Sequence, residues 1–181
     1  MNITFRPATI DDAPFVATVM MEAVEIPMME EKRTPEPHLI DICRRTDTLY
    51  SYKNAIIIED GERPIAGLIS YEGAGYHEVK MRTFGMVKDK LPFDFETMDD
   101  ETREGEYYLD SLAVLPEYRG KGIGRRAIEH GVSIARERGL LPILACDPDN
   151  TNAYNLYKKI GFHEDGKLFI FGETYLRMVF D

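Results

Sequence analysis

"LAVLPEYRGKGIGRRA", residues 112–127, is the stretch on which the reading of this chain turns. A strand-like run stops at Pro116, three glycines fall within five positions, and a helical pattern begins. Glycine lets the backbone approach a ligand with no Cβ in the way. A helix that starts there also turns its unpaired N–H groups outward with a partial positive charge. Such a turn suits a phosphate. Arg119, Lys121, Arg125 and Arg126 add four cations with no acid among them, a local reversal of sign in a chain of net charge −10. The glycines alone fit a solvated basic loop equally well.

Working outward, strand and helix signals alternate without repeats or low-complexity tracts, which points to an α/β (α+β) domain. "EYYLDSLAVL" reads as the strand before the turn. After it, Ile123, Ala127, Ile128, Val132 and Ala135 mark the apolar stripe of an amphipathic helix closed by Gly139. "LPILACD" is the next strand, "NTNAYNLYKKIG" a short helix ended by Gly161, and two strands follow, near 162–164 and 169–180. On the N-terminal side "ITFRPA" alternates as a strand. Thr9 to Asp12 resembles a capping box opening a helix to about Val24, and Pro27, Pro35 and Pro37 break the chain before a second helix over about 38–50. "NAIIIED" and "PIAGLISYE" form a hairpin turned at Asp60-Gly61. Between Gly73 and Glu104 the pattern fails, and the segment reads as an insertion in a single domain covering 1–181. Its Tyr76, Phe84, Phe93 and Phe95 offer apolar contact to an acceptor, or to a second copy in a homodimer. Asp94, Glu96, Asp99, Asp100 and Glu101 offer attraction for a cationic amine, and a solvated excursion fits the same residues.

Composition restricts the function. The longest apolar runs, such as 55–58 and 140–146, are too short to span a bilayer, and 1–6 has no signal-peptide core; the expectation is a soluble, unprocessed, cytoplasmic protein with no membrane partner. Cys43 and Cys146 lack metal-ligand spacing and read as reduced thiols, so no metal is expected. The charge of −10 argues against nucleic acid as a partner, whose phosphates need a basic face, and mildly favours a cationic or neutral small substrate.

Two anion-binding patterns compete for the turn. Gly122-Ile123-Gly124-Arg125-Arg126-Ala127 matches the dinucleotide pattern G-x-G-x-x-A, with Asp147 where a ribose-binding acid belongs. Against it, Pro116, Glu117 and Tyr118 separate the strand from the glycines, and too little chain follows for further βα units. No P-loop Gly-Lys-Ser/Thr occurs.

Val114 to Gly124 resembles the acyl-CoA signature of the GNAT N-acetyltransferase superfamily, R/Q-x-x-G-x-G/A after a strand. Asn150 to Phe162 resembles that superfamily's second motif, N-x-x-A-x-x-L-Y-x-x-x-G-F. The resemblance is close from Tyr107 onward and only architectural over the first seventy residues. It implies a mixed, mostly antiparallel central sheet flanked by helices, and acetyl-CoA as co-substrate.

By this resemblance the backbone of Arg119, Gly120, Lys121, Gly122, Ile123, Gly124 and Arg125 binds the coenzyme pyrophosphate. The pantetheine arm pairs with Leu112, Ala113 and Val114, and Asn150 either contacts pantetheine or simply caps its helix. Tyr157 matches the general acid that protonates the departing sulfur, and a backbone N–H near Val114 is the candidate oxyanion donor. The family supplies no fixed base. Asp110 shares strand parity with Leu112 and Val114 and is the first candidate, with Glu106 two pairs earlier; His163 reads as a surface residue. The expected activity is direct acetyl transfer to a primary amine of a small molecule or peptide. A non-catalytic acyl-CoA-binding module and, more remotely, a dinucleotide-binding oxidoreductase stand as the alternatives.

Overall fold

The structure, a computed structural model, describes residues 1–23 and 34–181. The expected breaks at Val24 and Pro27 lie outside the described residues. Among the described residues, seven strands form one mixed, mostly antiparallel sheet in the order β1-β2-β3-β4-β5-β7-β6, with helices flanking it. The chain groups into two compact units, Met1–Ser70 with Asp110–Ile128, and Tyr71–Leu109 with Glu129–Asp181.

The first unit begins with β1 (Ile3–Pro7), antiparallel to β2 (Ala55–Asp60), which turns at Gly61 into β3 (Arg63–Glu72). Gly61 holds φ +66, the left-handed conformation that the Asp-Gly signal anticipated. Before α1 (Ala13–Ala23), the Thr9 N–H donates to Asp12 Oδ2 at 2.7 Å, as the capping-box pattern requires. α1 lies close on β3: a Cβ at Gly67 would stand 2.6 Å from Val19 Cγ2. Ile123 and Ala127, at the start of α4 (Ile123–Glu137), pack with Ile58, Ile65 and Ala66. Leu112 and Val114 of β4 (Glu106–Val114) close the cluster.

The second helix is shorter than its pattern. α2 spans Pro37–Arg44, and Arg45 is already extended at ψ 158. Arg45-Thr46-Asp47-Thr48 offers side chains that compete with the helical backbone. The Asp47 carboxylate takes both Arg45 guanidinium bonds at 2.8 Å, and the Thr48 hydroxyl donates to Ile42 O at 2.9 Å.

In the second unit β4 runs parallel to β5 (Leu141–Cys146) over only three pairs, from Glu106↔Leu141 to Tyr108↔Ile143. β5 then pairs antiparallel with β7 (Glu173–Val179), and β7 with β6 (His163–Ile170). The last hairpin turns at Phe171-Gly172, with φ +55 and +80, inside the run expected as the final strand, so β6 extends to Ile170 and β7 begins only at Glu173. A two-residue turn of this kind needs positive φ at both positions, and Phe is a rare occupant that gives no sequence signal. α5 (Thr151–Ile160) ends at Gly161 as expected.

Residues 73–104 are more ordered than their pattern. They carry α3 (Tyr76–Gly85) and short 3-10 turns, and their two ends meet. The Gly73 N–H donates to Glu106 O at 2.9 Å, and a Cβ on Gly73 would lie 2.1 Å from Arg103 O, so only glycine fits this neck. Tyr76, Phe84 and Phe95 are buried, and Phe84 meets Phe93, Phe95 and Phe171 at centroid distances of 6.1–6.3 Å. These aromatic rings are core. Three of the acids are engaged internally: Asp99 exchanges two hydrogen bonds with Phe169, Asp100 pairs with the buried Lys80 at 2.7 Å, and Glu101 accepts from the Tyr76 and Tyr108 hydroxyls. For Tyr76, Phe84, Phe95 and Glu101 the expected contact with an acceptor gives way to internal packing, while Asp94 and Glu96 stay exposed.

Candidate active site

β4 delivers the glycine turn. Leu115 leads into a 3-10 turn at Pro116–Tyr118, and the chain then passes through Gly120 at φ +73 and Gly122 at φ +76 before α4 begins. A Cβ at either glycine would meet nothing within 4 Å, so it is the left-handed backbone, not crowding, that calls for glycine. The first ladder bond of α4 is donated by the Arg126 N–H to Gly122 O at 3.2 Å, which leaves the N–H groups of residues 120–124 ahead of the ladder. Alternation of ordinary and left-handed residues is the geometry of a backbone nest for an anion. Tyr118 anchors the turn, with Lys121 Nζ 4.9 Å and Arg63 Cζ 5.6 Å from its ring centroid; Arg63 also bonds Glu117 at 2.6 Å.

The edge of β4 can be assigned from one peptide unit. The Leu115 N–H donates to Ile65 O of β3 at 2.9 Å, and in a trans peptide the C=O lies opposite the N–H. Val114 O therefore points away from β3, and in an extended residue the Val114 N–H faces the same way. Arg119 Nε donates to that carbonyl at 2.9 Å, while Arg119 Nη2 reaches Glu22 Oε2 at 3.2 Å.

Phe15, Thr18, Val19 and Glu22 of α1 and Ala113, Val114, Leu115 and Pro116 line a cavity of about 30 Å³ with almost wholly apolar walls. Sequence reasoning missed these α1 residues. The signal was present, because positions 15, 18, 19 and 22 form one helical stripe ended by a carboxylate.

Among the acids of β4, Asp110 is half-buried and accepts from the Ser111 hydroxyl at 2.6 Å. Glu106 is buried and committed: it pairs with Arg177 and Arg103, the latter at 2.9 Å, and also accepts from the Thr102 hydroxyl. Both of its oxygens are taken up by these donors, so in the structure it serves as an ion-pair partner rather than as an open carboxylate.

In the other unit Asn150 caps α5, its Oδ1 accepting the Ala153 N–H at 3.0 Å; the cap reading of this residue is therefore met. Tyr157 lies about two turns further along, its ring 6.1 Å from that of Phe162. It keeps a partly exposed edge, yet burial first and the Cys146 sulfur second push its phenol up to about 12. It is thus a protonated donor at neutral pH. Cys43 and Cys146 are free and buried, and His163 is exposed, as expected. Asp147 Oδ1 accepts the Asp149 N–H at 2.8 Å in a turn, and the antiparallel sheet has no place for the doubly wound units of a dinucleotide fold. Among the described residues no helix is long and apolar enough to cross a membrane, and no cluster of three or more metal-ligating side chains occurs.

The model of the acetyltransferase (GNAT) family matches residues 20–162. A peptidyl-lysine N-acetyltransferase, YjaB of Salmonella typhimurium, is 37% identical over 60 residues, 33% of this chain and 39% of that protein. The N-alpha-acetyltransferase RimI of Mycobacterium tuberculosis is 38% identical over 61 residues, 34% of this chain and 37% of its own. The match thus spans well under half of these relatives' length. An N-acetyltransferase from Staphylococcus aureus Mu50 shares the fold across 97% of this chain and 99% of its own, with a TM-score of 0.76 at 21% identity. The NatC complex bound to Gag peptide and CoA gives a TM-score of 0.60 at 17% identity, over 99% of this chain and 98% of that one.

Proposed function

Since this chain belongs to the acetyltransferase (GNAT) family, we propose that it transfers the acetyl group of acetyl-CoA directly to a primary amine of a small molecule or peptide. The observation that carries the reading is the backbone of the turn. Two left-handed glycines and a helix start leave a run of N–H groups ahead of the helical ladder, beside Arg119, Lys121, Arg125 and Arg126. That arrangement fits a pyrophosphate. The edge of β4 at Leu112, Ala113 and Val114 is left by the three-pair β4–β5 ladder, which supports its use by pantetheine amides.

The chemistry follows the charges. A neutral amine attacks the thioester carbonyl, a C–N bond forms, and the oxygen takes up negative charge beside the Val114 N–H. The C–S bond then breaks and the sulfur leaves with the proton of the Tyr157 hydroxyl. The amine gives up a proton, by way of water, to Asp110, and solvent exchange restores both groups. Acetamide and the free thiol of coenzyme A are the products. Asn150, held as a helix cap, presents its amide to the pantetheine arm in this reading. The whole chain acts as one such domain, with 73–104 as an elaboration of it, in the cytoplasm. No step calls for a metal.

The test is a titration with acetyl-CoA followed by an amine panel of polyamines, amino acids, aminoglycosides and peptides, with release of the coenzyme thiol as the readout. Thiol release that depends on one amine class establishes the reaction. Tight coenzyme binding with no release for any class leaves a binding module instead.

A further inference from the structure

Ser111 is an unusual residue for its position. It is 2% exposed within β4, where an apolar β-branched side chain packs better and a buried hydroxyl costs free energy unless it is bonded. Its hydroxyl donates to Asp110 Oδ1 at 2.6 Å, and among the described residues it bonds nothing else. We propose that Ser111 is a positioning residue for acetyl transfer: it holds the Asp110 carboxylate in the orientation that receives the proton of the acceptor amine. The inference rests on the acetyltransferase reading with Asp110 as base, and adds to it a residue that acts through Asp110.

Neighbouring side chains on a strand stand on opposite faces, so a bond between positions 110 and 111 forms only when both turn towards one edge of β4. That turn fixes the plane of the carboxylate. Glu106, Tyr107, Tyr108 and Leu109 are each buried, and Asp110 is the first residue of β4 to come partly into the open. Water thus reaches the carboxylate, while its hydroxyl partner stays covered and is not lost to solvent. Charge matters as well. Glu106 is held by the guanidiniums of Arg103 and Arg177, whereas Ser111 is a neutral donor, which orients a carboxylate without setting a positive charge against the arriving proton. Proton transfer needs the acceptor oxygen within hydrogen-bond reach of the donor or of one intervening water, so a carboxylate released to other rotamers transfers less often.

A double-mutant cycle on Asp110→Asn and Ser111→Ala tests this, with acetyl-CoA and the amine of the panel that gives the fastest thiol release from the parent. Asp110→Asn lowers kcat about a hundredfold. Ser111→Ala lowers it about tenfold, with the KM for acetyl-CoA within about twofold of the parent's. In the Asp110→Asn background the alanine substitution costs less than about twofold, because the group that Ser111 orients no longer takes a proton. A serine that only supports the strand lowers kcat alike in both backgrounds, and that result overturns the proposal. So does parental kcat in Ser111→Ala. Parental kcat in Asp110→Asn refutes Asp110 as the base, and thiol release with no amine refutes the transferase reading itself; each is seen apart from the Ser111 result and takes the proposal with it. Thermal melts check that the compared variants are folded, and Ser111→Cys, which keeps the volume with a weaker donor, runs through the same cycle if the alanine variant melts early.

Discussion

The Tyr76 hydroxyl donates to the Glu101 carboxylate at 2.7 Å, both residues only 3% exposed, inside the segment whose sequence pattern is the least regular in the chain. A buried carboxyl group needs hydrogen-bond partners to offset its lost hydration, and here a second bond comes from the Tyr108 hydroxyl on β4. Residues 73–104 are thereby fastened to the sheet by polar groups as well as by Phe84 and Phe95. Tyr76→Phe preserves the ring and deletes one donor to a buried carboxyl group, so unfolding free energy falls by about 1–3 kcal/mol. Chemical denaturation measures this, and an unchanged midpoint contradicts the role given to the bond.

The start of α1 gives stability a pH dependence. The Arg6 guanidinium does most to hold the Asp12 carboxyl down to about 2; partial burial opposes it, and the Thr9 N–H and hydroxyl assist. The folded value lies below the unfolded one, so the stabilisation is fully present above about pH 4 and is lost as pH falls towards 2. Arg6 is a third exposed, and solvent screening limits the effect to about 1 kcal/mol. Melting temperatures of the parent and Asp12→Asn, compared from pH 7 to pH 2.5, converge at the acid end. A constant gap across that range speaks against the pairing.

The glycine turn was legible because its information is local: glycine spacing, the preceding strand and the cationic side chains all fall within sixteen residues. The second motif, Asn150 to Phe162, was legible for the same reason. What escaped depends on long-range contacts. The commitment of Glu106 to Arg177, 71 positions away, converts a candidate base into a structural ion pair, and strand parity cannot reveal that. Tyr76, Phe84 and Phe95 look like a sticky loop in sequence and become core only because α3 forms and the Gly73 neck closes. Phe171 occupies a left-handed position that favours other residues, so its turn left no trace.

Within the turn, the glycines separate by cause. Gly122→Ala places a Cβ on a φ of +76 and costs about 1–2 kcal/mol with no clash. Gly124 lies within α4, and its Cβ would make ordinary contact with Leu112 Cδ2 at 3.7 Å. Gly124→Ala is accordingly neutral or slightly stabilising in thermal melts, since alanine is the better helix former by about 1 kcal/mol. Equal losses for the two variants are inconsistent with this geometry.

Tyr157→Phe removes the proton and keeps the packing on Phe162. With the phenol pushed up to about 12, the donor stays protonated across the working range, so parent activity shows no loss of acid below about pH 10. Turnover in the variant falls by about a hundredfold, with coenzyme affinity nearly constant. Unaltered turnover, where chemistry limits the rate, removes Tyr157 from the reaction.

The central claim, acetyl transfer from a coenzyme held on the 119–125 backbone, is tested most directly by mixing the protein with acetyl-CoA and each member of the amine panel and following both products. Equal amounts of coenzyme thiol and N-acetylated amine, formed by the parent and lost in Gly122→Trp while the fold is retained, are the predicted result. No acetylated amine from any member of the panel, or full activity in the tryptophan variant, contradicts it.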